Sequence, residues 1–228
     1  MFMDNRKPKL SRADMVYEYL KEQILSLQLK PKDAISESRI CNETGASRTP
    51  VREAIGHLVH EELLYVLPQR GTFVAPIYID KFLEAHFVRT AIEIAILKEA
   101  NKNWSASFSR EALGFIEMQE VAMNEQDHDT FYEKDHEFHH TFAKAAGMMG
   151  VTGYIDQTRS QLARVRSLIV SKSGHMESVI SEHRSILAAI DSGDIDQTIQ
   201  NMHYHLDTLY TTLGKLQEEY GSFFAEKQ

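Results

Sequence analysis

The chain has 228 residues, 43% of them apolar and 25% charged, with one cysteine and a formal net charge of −8. That length and apolar content suit two modest domains with real cores; the lone Cys41 excludes an internal disulfide, and no stretch approaches the roughly 18–20 apolar residues needed to cross a bilayer. The opening residues MFMDNRKPKL carry no apolar signal core behind their charges, so a soluble protein of the reducing cytoplasm is expected.

From Arg12 to Leu29, the apolar residues Met15, Val16, Tyr19, Leu20, Ile24 and Leu27 predict a first helix, ended by Lys30, Pro31 and Lys32 because proline cannot continue it. Ile35, Ile40 and Cys41 then begin a short helix that stops near Gly45, and Ser47 stands where a capping residue opens the next. In that next helix Val51, Ile55, Leu58 and Val59 recur at core spacing, while Arg48, Thr49 and Arg52 occupy its first turn or so. A helix tip offering backbone N–H groups, hydroxyls and guanidinium forks suits phosphates and guanine edges. Two strand-like runs, Leu63 to Leu67 and Thr72 to Ala75, flank Pro68, Gln69, Arg70 and Gly71, a hairpin wing with a basic tip. Helix-turn-helix plus wing reads as sequence-specific DNA binding; the bland alternative is a structural helix pair with a few solvated arginines.

The net charge looks wrong for such a role until it is divided. Residues 1–76 hold 11 Lys and Arg against 10 Asp and Glu, a net of +1, whereas the remainder holds 14 against 23, a net of −9. Affinity for DNA must therefore come from local placement of Arg48, Arg52, Arg70 and lysine residues, because the domain has no general excess of positive charge.

Beyond Pro76 the pattern becomes helix after helix. Candidate helices run Ile79 to Lys102, Arg110 to Gln126, His128 to Ala146, Gly150 to Ser171, Met176 to Ser192 and Ile195 to Glu219. The short links, one of them Ser171 to Gly174, predict antiparallel neighbours and an all-α bundle of six or seven helices. The fold class is thus mainly α, with a winged helix-turn-helix at 1–76 and a helical effector, metal-binding and dimerisation domain at 77–228.

Inside the bundle, ionisable residues stand where the helical period calls for apolar ones. Asp135 and His139 are four apart on a stripe with Phe131, Phe138 and Phe142; His183 shares a face with Val179, Ile186 and Ile190, and His205 lies between Met202 and Leu209. Unpaired buried polar groups are costly. A divalent metal, zinc first with nickel or manganese as alternatives, would supply the missing partner and keep one or two positions open for water or an acid. Taken singly, each histidine also reads as a hydrogen-bonded core or surface residue. His136, His140 and His203 fall outside this set because their phase turns from the apolar stripe. Arg89 shares a face with Ala85, Ile92 and Ile96, so its guanidinium is expected to enter the bundle, where it forks either a ligand carboxylate or Glu93. Arg164 is a second candidate for the ligand.

Two resemblances sharpen this reading. SESRICNETGASRTPVREAIGHL followed by RGTFVA resembles the winged helix-turn-helix of the GntR family of bacterial transcription regulators. The resemblance implies a DNA face of Ser38, Arg39, Ser47, Arg48, Thr49, Arg52, Arg70 and Gly71. It departs in two places: Ser38 stands where the family often has an arginine, which is here the next residue, Arg39, and Glu62 stands where a glycine usually precedes the wing. DHEFHHTFAKAAG followed by SEHRSILAAIDSGDIDQTIQNMHYHL resembles the FCD effector domain of the FadR subfamily. In that family's metal-binding members the matching ligands fall on Asp135, His139, His183 and His205, and an arginine near Arg89 recurs.

Together these observations predict a ligand-responsive transcription regulator, a homodimer that reads half-sites of an approximately palindromic DNA operator and binds a metal and a small organic acid. The rival readings are a metal-dependent enzyme with a DNA-binding-like accessory domain and a regulator that senses metal alone.

Overall fold

The computed structural model describes residues 10–170 and 174–225; the expected break at Ser171 to Gly174 lies outside them except for Gly174. The chain divides into two compact units, one running to Ile77 and joined by the segment from Tyr220, the other Tyr78–Glu219.

The first unit opens with α1 (Arg12–Leu25). The Ser11 hydroxyl accepts from the Asp14 N–H at 3.0 Å and Asp14 Oδ2 accepts from the Ser11 N–H at 2.9 Å, a reciprocal cap. The helix ends before the expected Leu29 because Leu27 turns to φ 61° and the Leu29 N–H returns to the Gln23 carbonyl at 2.8 Å, so the stop precedes Pro31. Ile35, expected to start a helix, instead lies in β1 (Ala34–Ile35), a strand too short to show a period of two. α2 (Glu37–Thr44) is capped by Ser36 and ends at Gly45, whose φ of 64° suits a residue without Cβ. α3 (Arg48–His60) buries Val51, Ala54, Ile55 and Leu58; Ser47 holds the cap position, but its hydroxyl makes no capping bond.

β2 (Leu64–Leu67) and β3 (Gly71–Val74) form the wing, with Leu67 opposite Gly71, and β1 adds to its other side to give the antiparallel order β1-β3-β2. Leu20 and Ile24 of α1 pack against Val51 and Leu58 of α3 and Val74 of the wing, all essentially buried. Glu62, at the position where the resemblance expected glycine, adopts φ 57°. The wing tip shows a similar feature. Pro68 and Gln69 are the central residues of a turn closed by the Arg70 N–H on the Leu67 carbonyl at 3.0 Å, and Gln69 has φ 62°, at the turn position that favours glycine. Gln69→Gly is therefore expected to stabilise the chain by about 0.5–1 kcal/mol, read as a higher denaturant midpoint in the first unfolding transition.

A short segment at the other end of the chain pairs with the residue that follows Pro76. The Ile77 N–H donates to the Phe223 carbonyl at 2.8 Å and the Ala225 N–H to the Ile77 carbonyl at 3.0 Å, so the segment after the last long helix belongs to the first unit, with Phe224 buried there.

The second unit holds α4 (Ile79–Asn103), α5 (Ala106–Glu125), α6 (His128–Ala145), a 3-10 turn at Met149–Val151, α7 (Thr152–Val170), α8 (His175–Asp191) and α9 (Ile195–Glu219). Short links make α5 and α6, and α8 and α9, packed neighbours, whereas α7 leaves α6 to lie mainly along α4. Helices α4, α9, α8, α5 and α6 enclose a core of Leu97, Ile116, Phe131, Phe138, Phe142, Ile186 and Met202. The inward polar stripes of α6, α8 and α9 meet on the flank of this core.

Candidate metal centre and nucleic-acid interface

Asp135 and His139 from α6, His183 from α8 and His205 from α9 each offer a ligand atom, and these atoms all lie within 4.8 Å of one another. All four residues are buried. Each imidazole is oriented through its Nδ1: His183 Nδ1 lies 2.8 Å from Gln119 Oε1 and His205 Nδ1 2.8 Å from Glu182 Oε2. His139 Nδ1 stands 2.5 Å from Glu93 Oε2, in close contact but off hydrogen-bond alignment. These oxygens only accept, so the proton sits on Nδ1 and each Nε2 keeps its lone pair. Gln119 is itself oriented by donating through Nε2 to the Phe131 carbonyl at 3.5 Å, and Glu182 by the Ser178 hydroxyl at 3.0 Å.

The consequence is clearest at His183. Its Nε2 is buried without a hydrogen-bond partner and faces Asp135 Oδ1 at 3.5 Å. A lone pair and a carboxylate oxygen opposed at that distance repel, and a cation between them removes the conflict. Burial, outweighing the nearby carboxylates, holds His139 and His183 below the usual imidazole range, in the neutral form that ligates metals. Burial also disfavours charge on Asp135, yet Arg166, 3.5 Å away, together with His139, His183 and Arg89 outweighs it and keeps the carboxylate ionised. Three imidazoles and one carboxylate with oxygen partners behind the rings form a donor set that could hold zinc, nickel or manganese.

Arg89 reaches the cluster, where its Nε is 2.6 Å from Glu93 Oε1 and its Nη2 donates to His139 Nε2 at 3.1 Å. It is thus the Glu93 ion pair foreseen as the alternative, and it shares the His139 lone pair with any metal. Burial opposes charge on Glu93, but His139 and Arg89 together hold its carboxyl well below the usual range. Arg164, the second ligand candidate, lies apart from this cluster. It is wholly buried with Nη2 on Gln161 Oε1 at 2.9 Å, lines neither cavity described below, and burial lowers its pKa to about 10. The reason is helical phase: Ile155, Arg159, Leu162 and Arg166 repeat on one face of α7, and Arg164 falls on another.

Two cavities adjoin the cluster. The larger encloses about 580 Å³ of empty space, its open mouth included, between polar groups that include Arg89, His136, His140, Arg159 and Arg166 and an apolar wall of Ile96, Leu97, Phe142 and Leu162. The smaller, about 400 Å³, lies against Tyr132, Arg166, Glu182 and His205. His136 and His140, set aside at the sequence level, line the larger cavity, and with Asp156 they form a second group of closely spaced donors. Burial, with Arg159 beside it, pushes His136 down to about 3. The sequence reading missed Gln119, Glu182, Arg159 and Arg166. Gln119 and the α7 arginines carry a signal, since each interrupts an apolar stripe at helical spacing.

In the first unit, Ser38, Arg39, Ser47, Arg48, Thr49, Arg52, Arg70 and Gly71 are all exposed. Their charges are not equally available. Arg39 Nε is 2.7 Å from Glu43 Oε1 and Arg52 Nε is 2.9 Å from Glu37 Oε2, whereas Arg48 and Arg70 have no ion pair among the described residues. Exposed pairs of this kind contribute little and break readily.

Comparison with known proteins agrees with this architecture. Residues 12–74 match the family described as bacterial regulatory proteins, gntR family, and residues 84–208 match the FCD domain. The chain therefore belongs to the gntR family of DNA-binding transcription regulators and carries an FCD domain. It is 26% identical over 212 residues to the HTH-type transcriptional repressor RspR of Escherichia coli, covering 93% of each chain. It is also 26% identical over 208 residues to the gluconate operon transcriptional repressor of Bacillus subtilis, covering 87% of this chain and 84% of that one. The solved structure of E. coli McbR/YncC shares the fold, with a TM-score of 0.73 at 20% identity over 93% of this chain and 100% of that one. These relatives are regulators, not enzymes. No described helix is long and apolar enough to cross a membrane.

Proposed function

We propose that this regulator is of the FadR type and acts in the cytoplasm as a homodimer whose two winged units read half-sites of an approximately palindromic operator. The helical unit binds a divalent metal through Asp135, His139, His183 and His205, zinc before nickel or manganese, and a small organic acid in the cavity beside it. The observation that carries the metal reading is the buried, unpartnered His183 Nε2 facing the Asp135 carboxylate. The acid reading rests on the arginine-lined cavity that opens onto the same cluster, and a relative named for a gluconate operon is consistent with it.

Asp135, His139, His183 and His205 would hold the metal and so tie α6, α8 and α9 together, and the metal would supply Lewis acidity toward an anionic group. The chain's own residues do the rest: Gln119, Glu182 and Glu93 orient the imidazoles, and the arginines attract and align a carboxylate. The acid regulates only if it binds one arrangement of the dimer more tightly than the other. A metal-dependent enzyme gains no support, since the regulator relatives account for both units. The test is a mobility-shift titration of metal-loaded protein on the DNA flanking its own coding sequence, across a panel of organic acids. At least one acid should change the apparent affinity by about fivefold or more. A response to metal with none to any acid would replace this reading by a metal sensor.

A further inference from the structure

Among the described residues, Arg159 is the cation of the larger cavity that has no ion pair. Arg89 is paired with Glu93 at 2.6 Å, and Arg166 faces Asp135 at 3.5 Å while its guanidinium covers the Tyr132 ring at 4.8 Å. Arg159 has no ion pair among the described residues; Asp135 and Asp156 reach it only through space. Yet it is half-buried on the cavity wall, where an unneutralised charge is costly.

Its neighbours complete a site. The rings of His136 and His140 lie 3.9 Å apart, Asp156 Oδ1 is 3.6 Å from His136 Nε2, and His140 Nε2 is buried without a hydrogen-bond partner. By residue type this trio suits a second metal. The charge beside it argues the other way: a divalent cation would add to the repulsion on Arg159, while an anion is met by the guanidinium fork and by imidazole N–H donors. The wider charge balance agrees. Arg89 with Glu93 and Arg166 with Asp135 cancel; Arg159 with a divalent ion among neutral imidazoles brings three positive charges against the carboxylates of Asp156 and Glu182, so the region keeps a net positive charge.

We propose that the cavity is built for a compact dicarboxylate, one carboxylate directed to the metal cluster and the other to Arg159, His136 and His140. This rests on the acid-responsive reading above and narrows it to dianions. Arg159 is then a specificity-determining residue for the second carboxylate.

The test is calorimetry of the metal-loaded full chain with linear dicarboxylates from malonate to adipate, each paired with its own half-amide, which keeps the shape and removes one charge. At least one diacid should bind about tenfold or more tightly than its half-amide. Arg159→Gln should erase that preference with metal content unchanged, and Arg159→Lys should keep part of it, so the charge itself is tested even if the neutral variant is poorly folded. Equal affinity for diacid and half-amide, or an undiminished preference in Arg159→Gln, overturns the proposal and leaves acid sensing intact. Binding of no acid in either series overturns both. A second metal equivalent that disappears in His140→Ala would overturn it by making the trio a cation site.

Discussion

His183→Ala is expected to leave the purified protein without bound metal by elemental analysis, where the parent chain carries about one equivalent. The substitution removes the nitrogen that has no other partner, and the remaining three donors lose the fixed facing pair formed with Asp135. His205→Ala should behave alike, since that ring is aimed into the cluster by Glu182 at 2.8 Å. His136→Ala should retain the metal. Gln119→Ala keeps every ligand but frees the His183 ring, so affinity should fall roughly 10–100-fold and metal should survive only at higher free concentration. Stability follows by linkage: at free metal about 1,000 times Kd the folded state gains about 4 kcal/mol, which a chelator should remove from the parent chain and not from His183→Ala. The same metal content in all four variants would sink the site.

Much of this candidate centre was legible because the residues that meet there interrupt apolar stripes, and a stripe with period 3.6 fixes which side of a helix is buried before any tertiary contact is known. The same logic failed where the decisive information lay between helices. His136 and His140 do turn away from the core stripe of α6, but α7 crosses there, so the outward face of one helix becomes a cavity wall. Arg164 and Arg159 are five positions apart on α7, and only the observed packing of α7 along α4 shows which of them meets that cavity. β1 was invisible because two residues have no period, and the return of Phe224 to Ile77 because a pairing across such a sequence separation leaves no local signature. The ends of α2 and α3 were legible for the opposite reason: Gly45 and Ser47 act within one turn of their own helices.

The DNA-reading half yields an expectation that the sequence alone did not. Arg48 and Arg52 were equivalent at the tip of the recognition helix, yet Arg52 is held by both oxygens of Glu37 at 3.1 and 2.9 Å, whereas Arg48 has no acidic partner among the described residues. An arginine already paired must exchange one carboxylate for its DNA contact, so the net gain on binding is smaller. Arg48→Ala should therefore cost about 1–3 kcal/mol of operator affinity and relax specificity at one base pair if the side chain forks a guanine, and Arg52→Ala should cost less. Glu37→Gln, which frees Arg52 and removes a negative charge near the phosphates, should tighten binding and steepen its salt dependence. Titrations at several salt concentrations separate the roles: a base contact is lost mainly on the specific site, while a phosphate contact is lost on every sequence and lowers the salt slope by about one. Unchanged affinity in both alanine variants would mean that α3 does not enter the groove by its N-terminal end. Arg52→Ala costing more than Arg48→Ala would mean that the Glu37 pair positions Arg52 for its contact and does not compete with it.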